Sequence, residues 1–245
     1  MNKLTKYVAL PTLAISLFFG QHTSIYAAEN EKKAELEQKQ KENSISYLEI
    51  QNSLSQYGVQ QKVQVELLSK LEKGELWDSM KEDSIPVEEE TVETTTGTKT
   101  IRKFEDGSIL ITGILAVESD PSSYKPLGKY DGVTPGTIIK GSGYVSYKDA
   151  VVYYDDLVTY IAFNANFTIL QGAMDFIDRV WEPKFKSKVG SATNISVGII
   201  QAKETLDDPA EAKMDLTINW YNGGVGAVTY LKLLVGKDTF RPYPG

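Results

Sequence analysis

The sequence predicts a mainly β fold: an antiparallel β-sandwich or partly open barrel preceded by a short helical N-terminal region. Strict alternation is the first reason. In TYIAFNANFTIL, residues 159–170, Ile161, Phe163, Ala165, Phe167 and Ile169 share one side, while Tyr160, Ala162, Asn164, Asn166 and Thr168 share the other. That is a strand with one core face and one largely polar face. The second reason is turn chemistry, because Asp106-Gly107 and Asn222-Gly223-Gly224 separate such runs as hairpin turns do. The third is position: the clear helical period, Val63, Leu67, Leu68 and Leu71, lies ahead of the strands. Helices that do not alternate with strands leave no parallel crossover to build.

Taken in order, the chain opens with Lys3 and Lys6 before an apolar run from Tyr7 to Gly20 and a small-residue exit at Ile25-Tyr26-Ala27. This is the pattern of a secretory signal peptide over residues 1–27. Pro11 interrupts the run, which falls short of the about 20 apolar residues of a spanning helix, so a secreted, extracellular chain without a stable membrane anchor is expected. Residues 28–43, AENEKKAELEQKQKEN, mix both charge signs and offer a core only Leu36; they read as a charged flexible arm.

Residues 44–85 read as a helical segment ending in a joint. Spacing predicts a helix over 60–73, with Lys70 and Lys73 against its carbonyl end and Gly74 in the left-handed conformation that stops it. Leu76 and Trp77 then fold back over the apolar stripe, and Asp78 and Ser79 supply short polar side chains for a turn. Gly74, Trp77, Asp78 and Ser79 are therefore expected to be a structural joint, with recognition by Trp77 as the alternative.

Residues 86–245 are the expected β-sandwich domain. Glu88, Glu89 and Glu90 lead outward, and residues 98–104 and 108–112 form a hairpin. Strands follow at 144–147, 150–154, 159–170, 176–181 and, past Pro183, at 184–188. Ile195, Val197 and Ile199 mark another over 194–200, and residues 214–220 with 227–235 make a closing hairpin. The segment 121–143 is long for a loop, and such loops are commonly functional or mobile.

Composition excludes several chemistries. The sequence has one histidine, His22, which leaves with the leader, and no cysteine. No Ser-His-Asp or Cys-His nucleophile can form, nor a zinc site of histidine or thiolate, nor a disulfide. The formal charge is −7, and loss of Lys3 and Lys6 makes it more negative, so nucleic acid is not an expected partner. The basic strip Lys184, Lys186, Lys188 has the period of a strand's wet face.

Aromatics stand out. Of 14 tyrosines, Tyr144, Tyr147, Tyr153, Tyr154 and Tyr160 crowd GYVSYKDAVVYYDDLVTY, and Tyr130 lies in the long 121–143 segment. These six are the candidate ligand-binding residues: an exposed tyrosine ladder would hold a glycan or a protein ligand, while packing on a half-buried face is the other reading. The expected function is thus a secreted, non-enzymatic binding protein. A carboxylate-dependent polysaccharide hydrolase is an alternative, with Asp155, Asp156, Asp175 and Asp178 as candidates and Trp181 as a sugar platform. A membrane-active antagonist is a third. No cofactor is expected, although Asp155-Asp156, Asp207-Asp208 and Asp131-Gly132 leave a structural calcium open.

LLSKLEKGELWDSM, Leu67 to Met80, followed by Pro86-Val87 and KFEDGSILIT, Lys103 to Thr112, resembles a widespread group of small secreted proteins of Gram-positive bacteria. Their pattern is a short helix, a Gly-x-x-Trp-Asp-Ser turn, a Pro-Val, and an Asp-Gly-Ser hairpin ahead of a β-rich domain; a weaker likeness reaches VGKD, Val235 to Asp238. The resemblance implies export and this architecture. Many of those proteins carry cysteines in the β domain, which this chain lacks, so no disulfide carries over, and it implies no catalytic residue.

Overall fold

The computed structural model describes residues 46–118, 134–221 and 227–245. The expected leader, the arm, Tyr130 and Asp131 lie outside them. Two helices, α1 (Tyr47–Gln56) and α2 (Gln61–Glu72), and a short 3-10 turn (Asp78–Met80) precede the strands. These are β1 (Glu88–Thr94), β2 (Gly97–Lys103), β3 (Ile109–Glu118), β4 (Gly136–Gly141), β5 (Tyr144–Asp155) and β6 (Thr159–Leu170), then β7 (Phe176–Ser187), β8 (Gly190–Gln201), β9 (Ala210–Trp220), β10 (Ala227–Gly236) and β11 (Thr239–Pro244).

The strands form two sheets, not a closed barrel. One is seven-stranded, in the order β1-β2-β3-β4-β5-β6-β7, with β3 also pairing β5; the other is four-stranded, β11-β10-β9-β8. Pairing is antiparallel except for the three-residue β3–β4 ladder, Ala116 to Glu118 against Gly136 to Ile138, which is parallel.

Alternation along β5 explains the layering. Ala150, Val152 and Tyr154 enter the inter-sheet core with Phe163, Phe167, Met214 and Leu233. Val151 and Tyr153, one position out of phase, enter a second core with Ile50, Leu54, Leu67, Leu71 and Trp77 of the helical segment. The large sheet is therefore covered on both faces, by helices on one and by the small sheet on the other. The face of β6 expected to be largely polar is accordingly half covered: Ala162 is buried and Tyr160 packs under the helices.

Five strand predictions change. Residues 144–147 and 150–154 are one strand, because Lys148 and Asp149 bulge between the Tyr147–Phe167 and Ala150–Ala165 pairs, and Asn166 Oδ1 accepts the Asp149 amide at 2.7 Å. Residues 176–181 and 184–188 are likewise one strand, since Glu182 and Pro183 bulge opposite β6; the missing proline N–H falls where the ladder is already broken. The Glu88 run is a strand, its charges matched across the ladder by Lys103 and Arg102. Finally, β4 occupies part of the expected long loop, and β11 extends the closing hairpin through a two-residue turn with Lys237 and Asp238 at φ +57° and +58°.

The joint is built as a clasp between two turns. Gly74, at φ +73°, ends α2: its amide bonds the Leu71 carbonyl at 3.0 Å, and the Glu75 amide bonds that of Lys70 at 2.9 Å, the paired pattern of a left-handed helix stop. Trp77 is fully buried and donates from Nε1 to the Leu67 carbonyl at 2.7 Å. The β2–β3 turn supplies the other half. Asp106 Oδ2 accepts from Lys70 Nζ (2.8 Å) and the Asp78 amide (3.0 Å), while Oδ1 accepts from the Ser108 amide (3.0 Å) and hydroxyl (2.6 Å). Ser108 Oγ in turn accepts the Ser79 amide at 3.0 Å. Contrary to the sequence expectation, the side chains of Asp78 and Ser79 are not the turn's bonding groups: their backbone amides are, and Asp78 Oδ1 pairs with Lys81. Gly107 completes the fit, since a Cβ there would lie 2.4 Å from Val63 Cγ1 of α2.

A candidate ligand groove

The tyrosines do not make a common surface. Tyr153 is 1% exposed and Tyr154 6%; as strand neighbours they point to opposite faces of the sheet, and both faces are covered. Tyr153 stacks on Tyr160 with ring centroids 6.1 Å apart. Tyr154 donates its hydroxyl to Asp156 Oδ2 at 2.7 Å in the inter-sheet layer. Tyr147 is half-buried, stacked on Phe167 at 4.3 Å and edge-on to Phe240 at 5.0 Å. Tyr144 is exposed at the start of β5. Tyr147, Tyr153, Tyr154 and Tyr160 therefore follow the packing reading, Tyr144 stays exposed, and Tyr147 also lines a groove described below.

Three of the four candidate carboxylates are turn clamps. Asp155 Oδ1 accepts the Leu157 amide at 2.7 Å, and Asp156, which is buried, accepts the amides of Val158 and Thr159. Burial pushes the Asp156 carboxyl up to about 6, against the pull of the Thr159, Tyr154 and Val158 hydrogen bonds. Asp175, fully buried, receives the amides of Leu170 and Asp238, and burial raises its pKa. Asp178 is exposed and lies 3.4 Å from Lys148; Trp181 has the Arg179 guanidinium over its ring, 4.8 Å from the centroid. Asp155, Asp156, Asp175 and Asp178 thus do not face one cleft together. Among the described residues no group of three or more acidic, histidine or cysteine side chains is placed to hold a metal, and no helix is long and apolar enough to cross a membrane.

What the fold does leave open is an overhang. The large sheet is three strands wider than the small one, and no side chain of β1 or β2 belongs to the inter-sheet core. Ile101 packs toward the helices, so Thr98, Thr100 and Arg102 occupy the opposite, inner face of β2, opposite Glu93, Thr91 and Glu89 of β1. These pairs are bonded across the ladder: Thr98 to Glu93 at 2.8 Å, Thr91 with Thr100 at 3.0 Å, and Arg102 Nε to Glu89 at 2.6 Å, with Arg102 Nη1 reaching Thr112 of β3 at 3.2 Å. The result is a polar floor. Its wall is the outer edge of β11, with Phe240, Arg241 and Pro242, and its far side holds Ile138, Tyr147 and the Lys140–Glu118 pair.

The cavity over this floor has a volume of ≈ 580 Å³. A second hollow of ≈ 300 Å³ continues past Arg102, Arg241 and Pro242, which line both, toward Glu82, Tyr243 and Pro244. Tyr243 is 39% exposed and stacks on Tyr230 at 6.5 Å. Tyr230 donates to Glu82 at 2.8 Å, and burial followed by that bond pushes its hydroxyl up to about 12.

The β11 edge is chemically one-sided. Tyr230 and Gly245 exchange both backbone hydrogen bonds, so by alternation Tyr243 and Arg241 also face β10, while Pro244, Pro242 and Phe240 face outward. Two of these three outward positions have no N–H, which leaves carbonyl acceptors along the wall and blocks the edge against an added strand.

A separate groove of ≈ 720 Å³ lies beside β7, lined by Glu49 of α1, Tyr160, Phe185, Lys184, Lys186 and Lys188. Here Lys188 is engaged by Ser53 and the Leu157 carbonyl, and Lys184 lies 3.7 Å from Glu182.

Sequence reasoning did not single out Thr91, Thr98, Thr100, Arg241 or Tyr243. A signal exists in the period-two set Thr98, Thr100, Arg102: these share one face of β2 while Lys99, Ile101 and Lys103 share the other, so neither is the apolar face a sandwich strand would require. No family model, no curated protein and no solved structure matches the chain.

Proposed function

We propose that this is a secreted, non-enzymatic binding protein that takes a glycan in the groove between β1–β3 and β11. The observation that carries the reading is the pairing of a hydroxyl- and guanidinium-bearing floor with an edge that offers acceptors and, at Pro242 and Pro244, no donors. A sugar presents hydroxyls to both, and an apolar ring face to Tyr147 or Pro242. An extended peptide needs main-chain donors from the edge it joins, and this edge withholds them. Of the carboxylates that line the groove, Glu118 is paired with Lys140, Glu89 with Arg102, and Glu82 accepts the Tyr230 hydroxyl; Glu89 and Glu93 stand four strand positions apart, about 13 Å, wider than the about 5 to 9.5 Å of a glycosidase pair. Export rests on the leader pattern of residues 1–27, and kinship with the secreted Gram-positive group resembled at the Trp-Asp-Ser joint belongs to the same proposal.

The test is affinity electrophoresis of the protein through gels carrying a panel of polysaccharides, alongside Thr91→Trp. Thr91 is exposed on β1, so an indole there fills the groove without entering a core. Retardation of the wild type by at least one polymer, lost in Thr91→Trp with an unchanged thermal melt, is the expected result. Undiminished retardation of the variant would place binding elsewhere, and release of reducing ends from a retarding polymer would favour the hydrolase.

A further inference from the structure

We infer that the glycan taken by this groove carries N-acetylated amino sugars, and that the smaller hollow at the groove's end receives one acetamido group. This rests on the glycan reading and narrows it. The hollow is a mouth of the inter-sheet layer, and register fixes which way its walls face. Phe104 and Leu110, each 5% exposed, belong to the inter-sheet core and supply the wall on the large sheet. Pro242 and Pro244 stand opposite Leu233 and Leu231 of that core, and Thr229 opposite Leu216, so these side chains supply the wall on the small sheet. Arg102, on the inner face of β2, lines the hollow as well. Glu89 holds its guanidinium at Nε and Thr112 at Nη1. Two of a guanidinium's five donors are used in this way, and the others have no partner among the described residues.

An acetamido group matches each of these parts. Its methyl needs an apolar wall, which Phe104 and Leu110 give; its carbonyl needs a donor, which Arg102 gives. Its N–H needs an acceptor, and the outward carbonyls of Pro242 and Pro244 are acceptors on an edge that has no donor at either position. A hydroxyl at the same sugar position would leave the apolar wall unfilled, and an ammonium would enter it at a desolvation cost. A carboxylate would come to rest beside Glu82 and Glu89. Size bounds the guest too: ≈ 300 Å³ is the small end of ligand pockets, room for a sugar unit with its acetamido group and not for a long acyl chain.

Titration calorimetry with chitohexaose and a hyaluronate hexasaccharide, beside cellohexaose and de-N-acetylated chitohexaose, tests this in high salt, which screens the charges that differ among the probes. At least one acetylated oligosaccharide is expected to bind about tenfold or more tighter than cellohexaose and the deacetylated chain. That binding should weaken about tenfold in Arg102→Met, as for loss of a charged hydrogen bond, and should fall to the cellohexaose level in Thr229→Phe, which fills the hollow from the facing sheet; each variant is read below its own thermal melt. Cellohexaose bound as tightly as the acetylated chains, or an acetyl preference unmoved by either variant, would overturn the acetamido assignment and leave the glycan reading standing. Binding to none of the four would overturn the assignment too, while the polysaccharide gels decide the glycan reading separately.

Discussion

Replacing Asp106 by Asn isolates the clasp that joins the helical layer to the β domain. Four donors converge on the Asp106 carboxylate, two on each oxygen, and its side chain is 10% exposed against 30% for Lys70. An amide can accept on one side only. If its NH2 takes the Oδ2 side, it opposes Lys70 Nζ and the Asp78 amide; if the Oδ1 side, it opposes the Ser108 amide. Either way one buried backbone N–H loses its acceptor, a cost of about 1–3 kcal/mol, and the partly exposed ion pair is lost or weakened for about 1 more. The variant is expected to be less stable by about 3 kcal/mol, a large share of the roughly 5–15 kcal/mol of a typical domain. Urea denaturation of wild type, Asp106→Asn, Lys70→Met and the double variant measures it, with the cycle giving about 1 kcal/mol of coupling between the two residues. A loss below about 1 kcal/mol in Asp106→Asn would refute the clasp as the element that fixes the joint.

The same joint predicts that Trp77→Ala costs about 3–5 kcal/mol by thermal or urea melting, while Trp77→Phe, which keeps most of the buried ring but not the bond to Leu67, costs about 1 kcal/mol. Neither change should alter glycan affinity at temperatures where the variant is folded, because Trp77 lines neither hollow of the groove. A pH dependence follows from Asp156, whose folded pKa of about 6 stands above its ordinary 3.8. The unfolded chain then gives up this proton first, so the carboxyl's contribution is complete below about pH 4 and is lost as pH rises through about 6. Asp106 runs the other way: burial works to raise its pKa, but bonds from Lys70, Ser108 and the Asp78 amide outweigh it and hold it below the ordinary value, so its contribution is lost on acidification. Comparing wild type with Asp156→Asn at pH 5 and pH 7 separates the two: the wild type should lose stability relative to the variant on going from 5 to 7, and a constant difference would contradict the assignment.

How much of this was legible in the sequence depends on how local the cause is. The β6 strand was readable residue by residue because its inner face is unbroken from Ile161 to Ile169, and α2 with its Gly74 stop because a left-handed glycine after a periodic helix is a local signal. Bulges were not readable. Pro183 splits β7 in the sequence, yet two residues looping out opposite β6 let the strand run on. The β1 strand was hidden by its glutamates, which are tolerable there only because Lys103 and Arg102 stand opposite them. For the tyrosines, alternation does reveal that Tyr153 and Tyr154 oppose each other, but the covering of both faces is a matter of distant residues: Met214 and Leu233 on one side, Leu67 and Trp77 on the other. The groove is more remote still, since an overhang exists only when the strand counts of two sheets are compared, and Pro242 acquires its meaning only once β11 is known to be an edge.

Amide chemical-shift mapping of the protein titrated with an oligosaccharide cut from a polymer that retards it tests the central claim most directly. Perturbations centred on Thr91, Thr98, Thr100 and Phe240, with Lys184 and Lys186 unmoved, are the predicted result. Perturbations gathered instead around Lys184 to Lys188, or none through a millimolar titration, would contradict the assignment of the β1–β3 and β11 groove as the binding site.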